Sequence, residues 1–302
     1  MPSLIDIRRR LRSVRSTQQV TKAMKMVAAA KLRRAQARVF GARPYADAMR
    51  VLMRDLMARI ETNRPAGDDA PLHPLLARRT ERKVLLLVLS GDKGLAGAFN
   101  TNIVKAAHTF LIERERRGQQ PVLITIGRKG RDFFRRRRRL EAERVNIFAR
   151  VGYSHARDIA GEIISRFANG QCDAVYLLYN EFKSILTQRL VTEPLLPLEP
   201  EVAGKPEVAG KPEETAVDYI YEQPPAEIYR HLLPRFVEVQ VFRALLESAA
   251  AEQAARMTAM DAATNNAAEM IERITLNMNR IRQAAITKEI IEIVSGAAAL
   301  GE

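Results

Sequence analysis

An apolar seam through the first 60 residues constrains the fold of this chain more than any other feature. Alternating steps of three and four residues from Leu4 to Ile60 land on 17 positions, and 14 of them are apolar. This is the spacing of a coiled-coil heptad, so it predicts one long helix, or two helices broken near Pro44, whose ring disfavours an interior turn. Helices of globular domains average about 11–12 residues. The length of the seam therefore favours a coiled-coil arm.

Three polar residues interrupt this seam consecutively: Gln18, Thr21 and Lys25. Apolar residues at these positions would make a more stable coiled coil. This leaves two alternatives. The stretch, with Met24 and Met26, faces something other than its partner helix, or each of these is an ordinary exposed polar residue.

The last segment of the chain has the same pattern. Its seam runs from Met260 to Ala285 and, after a one-residue slip, continues through Ile290, Ile293 and Ala297. Pro225 suits the first position of such a helix. Since each terminal helix has a seam to bury, we expect the two to pair as an antiparallel hairpin.

The middle of the chain alternates between strand and helix patterns. The continuous apolar run Val84–Leu89 is typical of a strand that is buried on both faces of a parallel sheet. The pattern predicts further strands at Val122–Ile126, Val145–Phe148, Asp173–Tyr179 and Arg189–Thr192, a basic helix at Arg128–Arg138 and a helix at Ser154–Ala168. Together they predict a small, mainly parallel α/β domain.

These elements divide the chain into six segments. They are a coiled-coil helix at 1–61 with a possible kink at Pro44, a linker at 62–80, an α/β domain at 81–198, a disordered insertion at 199–216, a connection at 217–226 and a coiled-coil helix at 227–302. The insertion holds a tandem hexapeptide, Glu201–Pro206 repeated as Glu207–Pro212, and its Pro, Gly, Glu and Lys content is typical of solvent-exposed, disordered chain.

The charge of the chain is uneven. Residues 1–60 hold 15 Lys and Arg against three Asp, a net charge of +12, whereas residues 227–302 hold 8 Lys and Arg against 10 Asp and Glu. A basic first segment suits nucleic acid, an anionic membrane surface or an acidic protein. A basic coiled-coil protein that binds nucleic acid or acts as a scaffold is therefore an alternative function.

The sequence offers weak signals for chemistry. Gly91, Gly94 and Gly97 follow a predicted strand, but their spacing matches neither the dinucleotide fingerprint nor the Walker loop, so we predict a structural turn with Asn100 or Thr101 as the cap of the next helix. The run Arg135–Arg139 is interpreted as a solvated, partly acid-paired face. Cys172 is the only cysteine and is predicted to be buried. We predict no catalytic residue, no metal site, no nucleotide site and no cofactor.

Three blocks of the sequence resemble those of the gamma subunits of bacterial F-type ATP synthases. They are Thr17–Lys31, the loop Ser90–Asn102 and the C-terminal block Ile286–Ala299, supported by Ala251–Met260. The resemblance covers essentially the whole chain. It implies an antiparallel coiled coil of the terminal helices joined to a Rossmann-like α/β domain.

The resemblance also implies a function without an active site in this chain. The coiled coil would be the central rotor shaft inside a ring of alternating alpha and beta subunits, and the α/β domain would bind the epsilon subunit and the membrane c-ring. The chain would lie peripherally on the cytoplasmic face of the bacterial inner membrane, without inserting into it or binding nucleic acid. Matched by motif, the contacts to the ring would be Met24, Lys25, Arg256, Gln283, Thr287, Glu289 and Glu292. Taken singly, each of these is also explained as an ordinary exposed polar or apolar residue.

Overall fold

The computed structural model describes residues 4–62, 72–198 and 223–299. The predicted disordered insertion at 199–216 lies outside the described residues, as do parts of the predicted linker and connection. The chain forms two compact units. The first, here called the helix-pair unit, contains residues 1–30 and 256–302, and the second, called the α/β unit, contains residues 31–255.

Five helices and five strands make up the described chain. In chain order they are α1 (Leu4–Thr62), β1 (Lys83–Leu89), α2 (Phe99–Arg116), β2 (Gln120–Ile126), α3 (Arg128–Phe134), β3 (Leu140–Arg144), α4 (Tyr153–Ala168), β4 (Ala174–Phe182), β5 (Gln188–Leu196) and α5 (Pro225–Ala299). Short 3₁₀ helices occur at Pro74–Leu76 and Ile147–Ala149. Helices α1 and α5 each contribute residues to both units.

The five strands form one sheet in the order β3-β2-β1-β4-β5. Strands β1, β2, β3 and β4 are parallel, and β5 pairs antiparallel with β4 at the edge. Strand β1 lies in the centre, and six of its seven residues are buried because helices cover both faces of the sheet. Packed against this core are Ile103, Ala107 and Leu111 of α2. The predicted fold class, α/β with long terminal helices and a Rossmann-like domain, is confirmed.

Two sequence predictions inside the α/β unit are wrong. The predicted strand at Val145–Phe148 is absent from the described residues; the strand is β3, which ends before Asn146 turns into the left-handed region at φ 63°. Every second residue of β3 is exposed, and the strand carries two glutamates and an arginine, so it lacks the apolar run used to find the other strands. The basic helix ends at Phe134 rather than at Arg138, because the buried Phe134 carbonyl accepts hydrogen bonds from the backbone of Arg137 and Arg138 in a tight turn.

The long helices follow the sequence pattern closely. Helix α1 continues through Pro44 as a single helix, and α5 begins at Pro225. A kink at Pro44 and the six segment boundaries stay predictions. Within the described residues, we find no helix with the length and apolar character needed to cross a membrane.

Candidate functional site

The seam of α1 is the first part of the candidate site. All 17 predicted seam positions are buried or half-buried, and several are almost fully covered, among them Ala28 at 1% exposure and Leu56 at 0%. A surface helix would bury only one short stretch against a globular core. The predicted seam is therefore confirmed along the whole of α1.

Within the helix-pair unit, α1 and α5 run antiparallel. The Thr264 hydroxyl donates to the Thr21 hydroxyl at 2.9 Å, and Lys25 Nζ lies 2.6 Å from Asp261 Oδ1. Residues later in α1 thus face residues earlier in α5. The expected antiparallel pairing is confirmed. The polar seam residues Thr21 and Lys25 contact the second helix, so the alternative that the stretch faces something else is wrong for these two residues.

The Lys25–Asp261 ion pair contributes little stability. Both side chains remain half-exposed, at 42% and 46%, so water screens the attraction. Exposed pairs of this kind contribute about 0.2–1 kcal/mol. The contact is therefore a minor contribution to the pairing of the two helices.

The C-terminal part of α5 reaches beyond its partner helix. Thr21 lies opposite Thr264, so Leu4, 17 residues before Thr21, lies opposite Ile281, 17 residues after Thr264. No described residue of α1 lies opposite α5 beyond that point. The remaining stretch to Ala299 is about 27 Å long at 1.5 Å per residue.

This unpaired stretch is rich in exposed apolar side chains. Their exposed fractions are 48% for Ile286, 55% for Ile290, 58% for Ile291, 71% for Ile293 and 61% for Val294. Ile290 and Ile293, of the predicted seam after the one-residue slip, thus have no partner helix among the described residues. Contiguous exposed apolar surface of this kind marks an interaction site.

The polar residues predicted as ring contacts lie around the same stretch. Gln283, Thr287, Glu289 and Glu292 are all exposed, and Glu292 pairs with Lys288 at 3.5 Å in the open. At 100° per residue, Gln283 and Thr287 share one face of α5, and Glu289 and Glu292 lie on the opposite side. Arg256 is half-buried and lies near the other end of the unit. The structure therefore brings the four residues of this stretch together and places Met24, Lys25 and Arg256 away from them.

Met24 belongs to an apolar stripe on α1 that the sequence reasoning missed. Val20, Met24 and Val27 are 50%, 39% and 55% exposed. They recur at intervals of four and three residues and so share one face of the helix, turned away from the seam. The same spacing is visible in the sequence, and it could have identified Val20 and Val27 as members of this stripe.

The glycine-containing loop after β1 makes the predicted turn from strand to helix, although its details differ. The Asp92 carboxylate accepts hydrogen bonds from the backbone N–H groups of Arg128, Asn146 and Phe148, at 3.1, 2.8 and 3.3 Å. The loop is thereby tied to the segments after β2 and β3. The predicted cap is wrong: Ala98 precedes α2 without a side-chain hydrogen bond, and the side-chain Oδ1 of Asn100 instead accepts from the Gly91 N–H at 2.9 Å.

Other side chains that could take part in chemistry are buried or hydrogen-bonded within the fold. Cys172 is 1% exposed, and burial raises the pKa of its thiol to about 11, so the group stays protonated and unreactive at neutral pH. Burial and the hydrogen bond to Glu238 raise the pKa of the Tyr153 hydroxyl to about 12. In the parts of the chain that the structure describes, no three His, Cys, Asp or Glu side chains are grouped so that they could hold a metal ion.

Comparison with known proteins decides the family. The family model for ATP synthase matches residues 3–300. A curated relative from Solibacter usitatus, named ATP synthase gamma chain, is 55% identical over 99% of this chain and 99% of its own length. The chain belongs to the family of ATP synthase gamma chains. Another gamma chain, from Heliobacterium modesticaldum, is 46% identical over the whole of both chains.

Solved structures support the same family. A chain from the central stalk and c-ring of the Tetrahymena thermophila mitochondrial ATP synthase matches with a TM-score of 0.61 and 25% identity, over 81% of this gamma-family chain and 99% of the other. A chain from the Euglena gracilis mitochondrial ATP synthase matches in fold with a TM-score of 0.63 and 18% identity, over 98% and 94%. None of the relatives named here supports the alternative of a nucleic-acid-binding or scaffold protein.

Proposed function

We propose that this chain is the central rotor shaft of an F-type ATP synthase. It couples proton flow through the membrane sector to the conformational cycle of the catalytic beta subunits, and so to ATP synthesis, or to hydrolysis when it turns in reverse. The observation that carries the proposal, beside the family membership, is the unpaired apolar end of α5 beyond Ile281. A surface of exposed isoleucines on a single helix suits a bearing held inside a ring of other subunits.

The partners follow from this role. The alpha and beta subunits surround the helix pair, and the α/β unit binds the c-ring and the epsilon subunit. Proton flow turns the c-ring together with this chain, and the asymmetric shaft moves each beta subunit in turn through binding and release of nucleotide. The chain then lies peripherally at the cytoplasmic face of the bacterial inner membrane.

A rotating shaft requires contacts that break easily. Buried, fully paired charges between shaft and ring would resist each step, because separating them leaves uncompensated charge. The exposed arginines Arg8, Arg9 and Arg12 instead offer solvent-screened attraction to acidic segments of beta subunits. The side chains we propose as ring contacts are Met24, Lys25, Arg256, Gln283, Thr287, Glu289 and Glu292.

A pull-down tests the proposed function directly. The chain, tagged in the repeat at 201–212, is expressed in its bacterial source and recovered from detergent-solubilised membranes. We expect alpha, beta and epsilon subunits in the eluate by mass spectrometry, together with ATPase activity. Recovery of nucleic acid, or of the chain alone from the soluble fraction, would contradict the rotor role.

Alanine substitution of Gln283 or Thr287 is expected to slow turnover more than it weakens assembly. Both side chains are exposed on the unpaired part of α5, so neither stabilises the chain itself. Loss of one hydrogen bond to the ring corresponds to about a two- to tenfold lower rate. Steady-state ATPase activity of purified complexes, normalised to the amount of assembled complex, measures the difference.

The matched control is Asn277→Ala, which removes an exposed polar side chain from the paired part of the same helix. We expect this variant to keep the parental turnover. If Gln283→Ala and Thr287→Ala reduce assembly and turnover equally, the two residues have no role specific to rotation.

A further inference from the structure

The strand order defines a crevice at one edge of the sheet in the α/β unit. From β1 the chain moves to β2 and β3 on one side, and α4 then returns it to β4 on the other side of β1. The connections thus change direction between β1 and β4. In doubly wound sheets this switch point, at the carboxyl ends of the strands, is where ligands bind.

Helix α5 lies at this crevice and presents a buried carboxylate to the end of β4. The Phe182 N–H donates to Glu247 Oε2 at 2.8 Å. Phe182 and Glu247 are 3% and 5% exposed, so the bond is shielded from water. A hydrogen bond to a charged acceptor is about twice as strong as a neutral one.

A second buried glutamate of α5 lies against the loop that follows β1. Glu252 is 3% exposed, and a Cβ built on Gly91 would lie 3.1 Å from Glu252 Cδ. A larger residue at position 91 would therefore require the Glu252 carboxylate to shift by a few tenths of an ångström. Between the two glutamates, Ser248 and Ala251 are fully buried, so α5 is packed into the crevice along this whole stretch.

Helix α1 is connected to the same point. Arg43 Nη2 lies 3.4 Å from Glu247 Oε1, and the Glu247 side chain is only 6% exposed. One carboxylate therefore links α1, α5 and the central sheet. These two partners compensate the buried charge of Glu247. Removing either of them would leave that charge buried without compensation, which is strongly destabilising.

We propose that Glu247 and Glu252 are positioning residues that dock α5 into the switch-point crevice and make it the joint through which torque passes between the long helices and the sheet. The helix occupies the place where related sheets hold a ligand. This inference rests on the proposed rotor function. It assigns a mechanical role to Glu247 and Glu252, neither of which is among the proposed ring contacts.

The variant Glu247→Gln tests the joint in the assembled complex. Glutamine keeps an acceptor for Phe182 but loses the charge that pairs with Arg43. We expect the amide hydrogens at the end of β4 to exchange about tenfold faster, since a weakened buried hydrogen bond costs roughly that factor in local opening. Hydrogen exchange with mass spectrometry measures the change.

A second readout separates torque transmission from mere stability. The beta subunits are fixed to glass, and a bead is attached to the α/β unit through Arg136→Cys, an exposed position. While the motor waits for ATP, the angular spread of the bead reports the torsional stiffness between ring and sheet. We expect a wider spread for Glu247→Gln than for the parent.

The matched control is Glu181→Gln, which removes a carboxylate next to Phe182. Glu181 pairs with Lys183 at 3.2 Å and Arg189 at 2.8 Å, both within the same hairpin, and among the described side chains it forms no ion pair with either long helix. This variant is expected to keep the parental spread and the exchange rate at Phe182. If Glu247→Gln does not assemble, Arg43→Gln tests the same joint from the α1 side, because Arg43 is 44% exposed and glutamine keeps an amide donor in place of the guanidinium.

The outcomes separate the two proposals. A parental complex that rotates, with unchanged spread and exchange in Glu247→Gln or Arg43→Gln, overturns the joint and leaves the rotor function intact. A wider angular spread in the control Glu181→Gln would also overturn the joint, because the loss of a carboxylate that pairs with neither long helix in the described chain would then have the same effect. A parental complex in which the chain never rotates contradicts the rotor function itself.

Discussion

Replacing Gly127 by alanine is expected to abolish stable folding of the α/β unit. Gly127 follows β2 with φ +97°, a conformation that L side chains rarely adopt, and a Cβ there would lie 1.9 Å from the Ser90 carbonyl oxygen. That oxygen belongs to the backbone of Ser90, which directly follows β1 and is fully buried. Backbone strain and displacement of Ser90 together are expected to lower the free energy of unfolding by more than about 4 kcal/mol, a loss that few single substitutions cause.

Gly118→Ala is the matched control for this prediction. Gly118 also has a positive φ, +75°, but no atom lies within 4 Å of a Cβ at that site. Alanine there costs only the backbone preference, about 1–2 kcal/mol. Thermal unfolding of the purified chain, followed by circular dichroism, compares the two. Similar melting temperatures for both variants would show that the Ser90 contact is relieved by movement of the loop.

Replacing Leu11 by aspartate is expected to separate the two helices of the helix-pair unit. Leu11 is 7% exposed in the seam of α1, so aspartate there would place a carboxylate in an apolar helix–helix contact. Losing the buried side chain and burying an unpaired polar group each cost about 2–5 kcal/mol. We expect loss of helical signal from the isolated chain at moderate temperature, and loss of ATP-driven proton pumping in membranes that contain the variant.

Val20→Asp is the control, because Val20 lies on the same helix and is 50% exposed. It introduces the same charge without disturbing the seam, so the isolated chain should keep its helical signal. A loss of proton pumping with Val20→Asp alone would place the stripe formed by Val20, Met24 and Val27 in contact with the ring. An unchanged melting curve for Leu11→Asp would show that the helices do not depend on one another.

The long helices and the central strands could be predicted from sequence because their signals are repetitive. A seam such as that of α1 has many positions that support one interpretation, so the polar interruptions at Thr21 and Lys25 do not obscure it. The apolar run of β1 is equally plain, since the strand is buried on both faces. Strand β3 has no such signal, because an edge strand with alternating exposed charges resembles a loop.

The docking of α5 could not be predicted. Glu247 and Glu252 are charged residues in a helix, and local pattern places such residues on the solvent face. They are buried because Phe182, Arg43 and the loop at Gly91 surround them in the folded chain. Phe182 and Arg43, which hydrogen-bond to Glu247, lie 65 and 204 positions away from it in sequence. Contacts of that separation leave no trace in a seam or a strand pattern.

The overhang of α5 beyond Ile281 has a geometric consequence for whatever encloses it. A single helix with its side chains is about 10–12 Å across, whereas two packed helices add another 8–10 Å between their axes. The last 18 residues before the end of α5 can thus enter a bore roughly half as wide as the paired part requires. A lone helix is also the part most easily wound or unwound about its own axis, so elastic twist would collect there first.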